Sequence, residues 1–340
     1  MKSHLISGDA TIVEALDSLN RLSGSTMVLF VTGPDGSLLG SLTDGDIRRA
    51  LLSGSVLSDR VGPICKRGCM FLTAGRHDVG MVAEARAKGI ALLPVVADGR
   101  IVSLVDLNRQ RGLIPADAVL MAGGIGERLR PMTATVPKPL LPVGGRPIID
   151  HNVELLRSFG IENIFVTVNY LKQRIISHFE EDAAGVTCVE EPSKLGTIGS
   201  LSLISGLRSP NVIVMNADLL TDINLEAMYL KHIETEAWLT MAVVPYSVSV
   251  PYAIVSHSGD RVEGLVEKPT YNYYANAGVY MLARKTVDLI PKGKYMDATD
   301  LIDRLVSGGR RVSISPVEGR WLDIGSPDDY RHACELMAGS

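Results

Sequence analysis

Between residues 118 and 149 the chain reads AVLMAGGIGERLRPMTATVPKPLLPVGGRPII, and its residue types suit one kind of chemistry. An apolar run, 118–122, reads as a buried strand ending on Ala122. Gly123, Gly124 and Gly126 follow, so backbone N–H groups can approach a phosphate chain with no Cβ in the way. Arg128 comes just after the glycines, and Lys138 stands between Pro137 and Pro139. These cations would neutralise what the backbone cradles, as a nucleoside triphosphate site requires. The string is not the dinucleotide fingerprint, because Leu129 falls where the third glycine would stand. It is not a Walker loop either, because no Gly-Lys-Ser/Thr closes it.

Carboxylates form the second group. Asp218, in VIVMNADLLTDI, lies just past an apolar strand, where it could face a crevice and ligate a cation. A turn or capping aspartate reads equally well there, and the neighbouring Asp222 is the weaker candidate. Asp323, in RWLDIGSPDDYRHACELM, follows Trp321, and Ser326 with Asp328 and Asp329 reads as a helix start. Glu267 and Lys268 precede Pro269 in GLVEKPTYNYYANAGVYML, although an isolated Glu-Lys pair is usually a solvated surface. In EEPSKLGTIGSL, Leu195, Gly196 and Thr197 open a helix containing Gly199 and Ser200. Glu190 or Glu191, just ahead, could accept from a base amine, a surface carboxylate being the default.

The elements that position these residues alternate. Strands are expected at 119–121, 163–169 and 212–216, with helices at 148–159 and 171–181. This order predicts an α/β fold, a doubly wound, mostly parallel Rossmann-like sheet with active residues at strand C-terminal ends. Further strand-like runs, 238–244 and 277–282, add sheet in the last third.

Upstream of a composition break near 110–117 lies a weak internal repeat. Each copy predicts helix, strand, Asp-Gly turn, strand and closing helix, over 1–60 and 61–113. The two copies resemble a pair of CBS motifs, an α+β arrangement ahead of a nucleotidyl-handling domain over 117–340. The resemblance implies an adenine-nucleotide site in which Thr43 and Asp46, one helical turn apart, share a ribose diol. The alternative is that Thr43 simply caps the closing helix with Asp46 in its first turn. In the second copy Asp106 and Arg109 take those places, or Ser103 and Asp106 after a three-residue shift, so its half-site is degenerate.

The 340 residues are 46% hydrophobic with a net charge of −4, which supplies a full core and no bulk attraction for nucleic acid or lipid. No run approaches the ~20 apolar residues of a membrane span. The N-terminus lacks a signal-peptide core, and the four cysteines show no zinc spacing. A cytoplasmic protein with free thiols is expected.

The string G-G-x-G-x-R-L-x-P-x-T followed by P-K-P-L-x-P-V resembles the opening motif of the sugar-1-phosphate nucleotidyltransferases. So do the later E-K-P and W-x-D-x-G-S-P strings, in the expected order over 117–335. The resemblance implies Mg²⁺-dependent transfer of a nucleoside monophosphate, GTP favoured as donor, to a sugar-1-phosphate with release of pyrophosphate. It implies a metal held by Asp218 and Asp323, and phosphates contacted by Arg128, Lys138 and Lys268. It places the nucleotide along Ala122, Gly123, Gly124, Gly126, Glu190, Leu195, Gly196 and Thr197, and the sugar at Glu267, Asn276 and Gly278. Ile198 departs from the alanine common in that family. The absence of hexapeptide repeats argues against a bifunctional acetyltransferase. A catalytically silent nucleotide-sugar sensor is the rival reading, and the resemblance to CBS pairs implies a homo-oligomer.

Overall fold

The computed structural model describes residues 2–74, 78–181 and 185–338. Two units can be separated: Met1–Ile114 with Ser158–Gly160, and Pro115–Arg157 with Ile161–Ser340.

In the first unit both halves of the sequence repeat fold alike. The first half forms β1 (Leu5–Ser7), β2 (Leu29–Thr32) and β3 (Leu38–Leu42), with β1 parallel and β3 antiparallel to β2. The second forms β4 (Leu72–Thr73), β5 (Leu92–Ala97) and β6 (Arg100–Asp106), paired in the same senses. The helices Ile12–Arg21 and Val79–Ala87 bury one stripe each, Ile12, Ala15 and Leu19 in one and Val79, Val82 and Ala85 in the other. Asp98 and Gly99, both at positive φ, make the tight turn their residue types favour.

The expected closing helix follows only the first copy. There Thr43 caps the helix Asp44–Leu52, and the Asp46 carboxylate accepts from the Thr43 N–H and hydroxyl. After β6 the chain instead turns, with the Asn108 N–H donating to the Asp106 carboxylate and the Arg109 N–H to the Asp106 carbonyl. Gly112 and Pro115 lie within the next nine residues, and both oppose helix growth.

The second unit is built on seven strands in the order β11-β10-β7-β12-β17-β14-β18. In chain order its strands begin with β7 (Ala116–Met121), the short hairpin β8 (Pro142–Val143) and β9 (Arg146–Pro147), β10 (Ile164–Val168), β11 (Val186–Glu190) and β12 (Asn211–Asn216). They continue with β13 (Leu219–Thr221), β14 (Leu239–Ser249), β15 (Ile254–Ser258), β16 (Arg261–Val266), β17 (Thr270–Ala283), β18 (Val312–Pro316) and β19 (Trp321–Asp323). β11, β10, β7 and β12 run parallel, and the inner ones are buried along almost their whole length, as their unbroken apolar sequences demand. The sheet is mixed beyond that point, because β17 runs antiparallel to both β12 and β14. The helices Ile148–Ser158, Lys172–Glu181, Leu225–Glu234, Ala298–Ser307 and Pro327–Ala338 flank these strands in sequence. Val119, Phe165, Val214, Leu239 and Leu282 meet Leu301 and Leu305 in the main core. Each such side chain contributes about 1.5–3 kcal/mol on burial.

Past Val244, β14 and β17 run on together as an exposed ribbon carrying the hairpin β15–β16 between them. Among the described residues no helix is long and apolar enough to cross a membrane. The four cysteines are free.

Candidate active site

The central strand β7 delivers the glycine loop to the carboxyl edge of the sheet. Two of its three glycines are fixed, for different reasons. Gly126 has φ +67°, and a Cβ there would lie 3.1 Å from Thr133 Cγ2 and 3.2 Å from Lys138 Cβ. Gly123 faces Glu191, whose Oε1 would be 2.9 Å from an added Cβ. Gly124 faces open space. The Thr133 hydroxyl donates to the Gly126 carbonyl at 2.8 Å and ties the loop to the turn that follows.

The loop borders a cleft of about 360 Å³ lined by Ala122, Gly124, Arg128, Lys138, Lys194 and Asp218 among others. Lys138 Nζ donates to Asp218 Oδ2 and lies 3.8 Å from Asp323 Oδ1. The two aspartates, roughly a hundred residues apart in sequence, meet because β13 pairs with β19. Leu219 sits opposite Asp323, and the Ile324 N–H donates to the Asp218 carbonyl at 3.2 Å. The Asp323 side chain is half exposed, and partial desolvation pushes its carboxyl up from the ordinary carboxylate range, with the Asp218 charge adding to the shift against the pull of Lys138 and Arg128. The Arg128 guanidinium lies over Gly325, 3.8 Å from where a Cβ would stand.

These residues fit a divalent cation. Asp218 Oδ1 is buried with no hydrogen-bond partner, which leaves a hard oxygen free. Two carboxylates with open space beside them suit Mg²⁺, which keeps several water or phosphate oxygens of its own. Among the described residues no cluster of three or more His, Cys, Asp or Glu gathers, so the remaining ligands would come from substrate and water.

The segment 190–197 divides its residues differently from the sequence expectation. Glu190 ends β11 at the surface and pairs with Lys172 at 2.6 Å. Glu191 is 6% exposed, and its carboxyl accepts from the Leu195 N–H at 3.4 Å. Burial raises its pKa. The strand's alternation explains the split, since neighbours on an extended chain point to opposite faces. Leu195 is buried. Gly196, at φ +79°, lies so close to the Met296 carbonyl that a Cβ would stand 2.5 Å from it. Thr197 donates through N–H and hydroxyl to Asp297 Oδ1 at 2.9 and 3.1 Å and accepts from the Ala298 N–H. Its side chain therefore holds the start of the helix Ala298–Ser307. The expected helix here is a single 3₁₀ stretch, Gly199–Leu203. Lys194, on the same segment, was not singled out from sequence; a lone cation two residues ahead of a glycine carries no pattern.

On β17, Gly278 has φ +71°, and a Cβ would lie 2.7 Å from Asn216 Nδ2. The Asn276 side chain is engaged locally, donating to Tyr280 Oη at 2.7 Å and accepting from the Gly278 N–H at 3.0 Å. Trp321 Nε1 donates to the Ala277 carbonyl at 2.8 Å, joining this strand to the one that carries Asp323. Glu267 and Lys268 lie between β16 and β17, exposed, with Lys268 at φ 43°, and neither lines the cleft. Asp222 accepts from the Arg320 N–H at 2.6 Å and so serves the backbone.

In the first unit, Thr43, Asp46, Arg49, Lys66 and Lys88 line a separate cleft of about 540 Å³ between the two repeat copies. Thr43 and Asp46 also form the helix cap described above.

A glycine loop at the carboxyl edge of a mostly parallel sheet, with cations above it and paired carboxylates beside it, defines an α/β domain built to handle polyanions. The nucleotidyl transferase family model matches residues 117–339, and the chain belongs to that family, in agreement with its motifs. A probable mannose-1-phosphate guanylyltransferase 2 of Arabidopsis thaliana is 30% identical over 239 residues, 66% of this chain and 65% of that protein. The mannose-1-phosphate guanyltransferase of Debaryomyces hansenii is 31% identical over 226 residues, covering 62% of each chain. The matched region thus spans somewhat less than two thirds of these relatives. Among solved structures, HddC from Yersinia pseudotuberculosis aligns at a TM-score of 0.50 and 26% identity, over 65% of this chain and 99% of that one. A putative glucose-1-phosphate thymidylyltransferase from Bacillus anthracis, at TM-score 0.52 and 21% identity over 65% and 95% of the two chains, shares the fold.

Proposed function

We propose that the chain transfers GMP from GTP to a sugar-1-phosphate, releasing pyrophosphate, with mannose-1-phosphate the first acceptor to test. The observation that carries this reading is the Lys138–Asp218–Asp323 cluster beside the glycine loop. Both reactants are anions, so the reaction needs charge neutralisation and in-line positioning more than a protein nucleophile. In this account Gly124 and Gly126 cradle the triphosphate and Arg128 and Lys138 neutralise it. Asp218 and Asp323 hold Mg²⁺, which when bound supplies charge neutralisation across the phosphates. Lys268 and Glu267, carried on the arm, meet the acceptor's phosphate and hydroxyls, with Asn276 and Gly278 shaping the floor of its pocket.

Guanine is favoured by two independent considerations. The curated relatives named above are guanylyltransferases. In addition, the buried Glu191 carboxylate abuts Gly123 of the loop. An ionised carboxylate only accepts hydrogen bonds. Guanine alone presents two adjacent donors, the ring N–H and the amino group, on its pairing edge. Glu191→Gln should therefore lower selectivity for GTP over ATP by 10-fold or more; unchanged selectivity would remove Glu191 from base recognition.

The first unit supports a second proposal, a CBS pair that takes an adenine nucleotide in the cleft beside Thr43 and Asp46. Calorimetry of the full chain with AMP and ATP, repeated on Asp46→Asn, tests it. Absence of binding to the wild type would leave Thr43 and Asp46 as a helix cap alone.

The decisive test of activity is pyrophosphate release with Mg²⁺ across five nucleoside triphosphates and a panel of sugar-1-phosphates, mannose- and glucosamine-1-phosphate included. Release with GTP and one sugar is expected. Nucleotide binding with no release across the panel would favour a silent sensor instead.

A further inference from the structure

The helix Ile148–Ser158 buries a stripe that includes Ile148, Ile149, Leu155 and Leu156, and one amide, Asn152, sits in the middle of it. Asn152 is 1% exposed. A buried amide is costly unless it is hydrogen-bonded, and an aliphatic side chain would fill the stripe with no such penalty. The bond that Asn152 makes points at the site: its Nδ2 donates to the Ala217 carbonyl at 3.3 Å. That carbonyl belongs to the peptide group that leads into Asp218. Ile148, one turn earlier, brings the helix there by packing with Leu129, Leu220 and Ile324, which lie beside the glycine loop, Asp218 and Asp323 in sequence. The interior N–H groups of a helix are engaged within it, so only a side chain can donate across to the strand end.

We infer that Asn152 is a positioning residue for Asp218, an inference that rests on the nucleotidyl-transfer reading of that carboxylate. A peptide group is planar, so fixing its carbonyl also fixes its N–H and the Cα that follows. Ahead of the Asp218 Cα, Asn152 holds the Ala217 carbonyl, and the Ala217 N–H donates to the Met121 carbonyl at 3.2 Å. Beyond it, the Ile324 N–H holds the Asp218 carbonyl at 3.2 Å. The peptides on both sides of the Cα are thereby anchored, and together they set the direction in which the Asp218 side chain leaves the backbone. One anchor comes from the residue that follows β19, the other from Asn152 alone. An apolar residue at 152 would let the Ala217–Asp218 peptide tilt. The carboxylate would tilt with it, because Lys138 holds Oδ2 while Oδ1 has no hydrogen-bond partner. Loss of a group that orients a metal-binding side chain commonly costs about 10–100-fold in metal affinity or activity.

The test is Asn152→Leu, which keeps the side chain's branching and heavy-atom count, with Asn152→Ala as a smaller second variant. Val153→Ala is the control, because it removes buried volume from the same helix but no side-chain hydrogen bond. Mn²⁺ binding to the full chain is read from the electron paramagnetic resonance of the free ion, and turnover with GTP and a sugar-1-phosphate is measured alongside. Both Asn152 variants should weaken Mn²⁺ binding and lower kcat by about 10-fold or more, with the KM for GTP nearly unchanged. Val153→Ala should lower the Tm and leave both readouts as in wild type. In an Asp218→Asn background Asn152→Leu should add almost no further loss of turnover, because residues that act through one another are not additive. Wild-type Mn²⁺ binding in both Asn152 variants, or an equal loss of turnover in the Asp218→Asn background, would overturn the inference and leave the functional reading standing. Mn²⁺ binding that is absent, or that survives Asp218→Asn, would remove the metal site instead, and the turnover comparison would then decide the role of Asn152. A wild type that also forms no product would overturn the functional reading and the inference together.

Discussion

Lys138→Ala separates the job this lysine performs in the structure, holding Asp218, from the one proposed for it, facing the phosphates. In the folded chain Lys138 Nζ is the partner of Asp218 Oδ2, while Asp218 Oδ1 has none. Removing the lysine leaves that carboxylate without a side-chain cation and beside Asp323. Breaking a fully buried ion pair costs about 3–5 kcal/mol, and an exposed one contributes under about 1 kcal/mol. The Lys138 side chain is 12% exposed and that of Asp218 28%, so the loss should fall near 2–3 kcal/mol. In a unit of this size each kcal/mol shifts the midpoint by about 2–4 °C, which predicts a drop of roughly 5–10 °C in Tm. A cation bound at about 100 times its dissociation constant adds about 2.7 kcal/mol. Mg²⁺ should therefore recover most of the loss in the variant, more than it adds to wild type. The assay is thermal unfolding of both proteins in EDTA and in Mg²⁺, with turnover measured alongside. Turnover should fall by about 10²–10³-fold even in Mg²⁺, as when one donor to developing charge is removed. A Tm within 1 °C of wild type in EDTA, or a loss that Mg²⁺ leaves untouched, would refute the reasoning.

Three further outcomes are expected. Asp323→Asn should raise the Tm of the metal-free chain while cutting turnover by orders of magnitude, because it removes a carboxylate whose partial desolvation and proximity to Asp218 disfavour its charge. The same raised pKa means that its stabilising contribution is present at low pH and lost as pH rises through the folded value. Titration of the metal-free chain should accordingly place the Asp323 carboxyl above the ordinary carboxylate range, and titration within that range would contradict the assignment. Gly278→Ala should destabilise by about 2 kcal/mol or more, from left-handed strain joined to a 2.7 Å approach to Asn216, which denaturant unfolding would read as a lower midpoint. Burial depresses the His232 pKa to about 4, while in the unfolded chain it titrates near 6.5, so stability should decline as pH falls between those values. The full span is about 3 kcal/mol, and His232→Gln should flatten that slope of ΔG against pH.

Much of the site was legible because local chemistry wrote it. A strand followed by Gly123, Gly124 and Gly126 can only turn tightly, and Arg128 and Lys138 follow within a short reach, so the anion cleft could be read directly. Asp218 at a strand end was legible for the same reason. That Asp218 and Asp323 meet was not, since the pairing of β13 with β19 is a long-range event with no local signature. The choice between Glu190 and Glu191 depended on strand parity at the end of β11, which adjacent identical residues conceal. The bonds of Thr197 to Asp297 and to the Ala298 N–H, a hundred residues onward, had no local signature either. The first repeat's closing helix was announced by Thr43 and Asp46, whereas the second repeat's similar sequence ends in a turn at Asp106. The antiparallel insertion of β17 between β12 and β14 was hidden because its inner half reads as apolar as any parallel strand.

The central claim is that Asp218 and Asp323, beside Lys138, support nucleotidyl transfer. Its most direct test is single-turnover formation of the nucleotide sugar from GTP and a sugar-1-phosphate at saturating Mg²⁺, comparing wild type with Asp218→Asn and Asp323→Asn. The account predicts product from wild type and a loss of several orders of magnitude in both variants, each with an intact fold. Near-wild-type rates in both variants would contradict it.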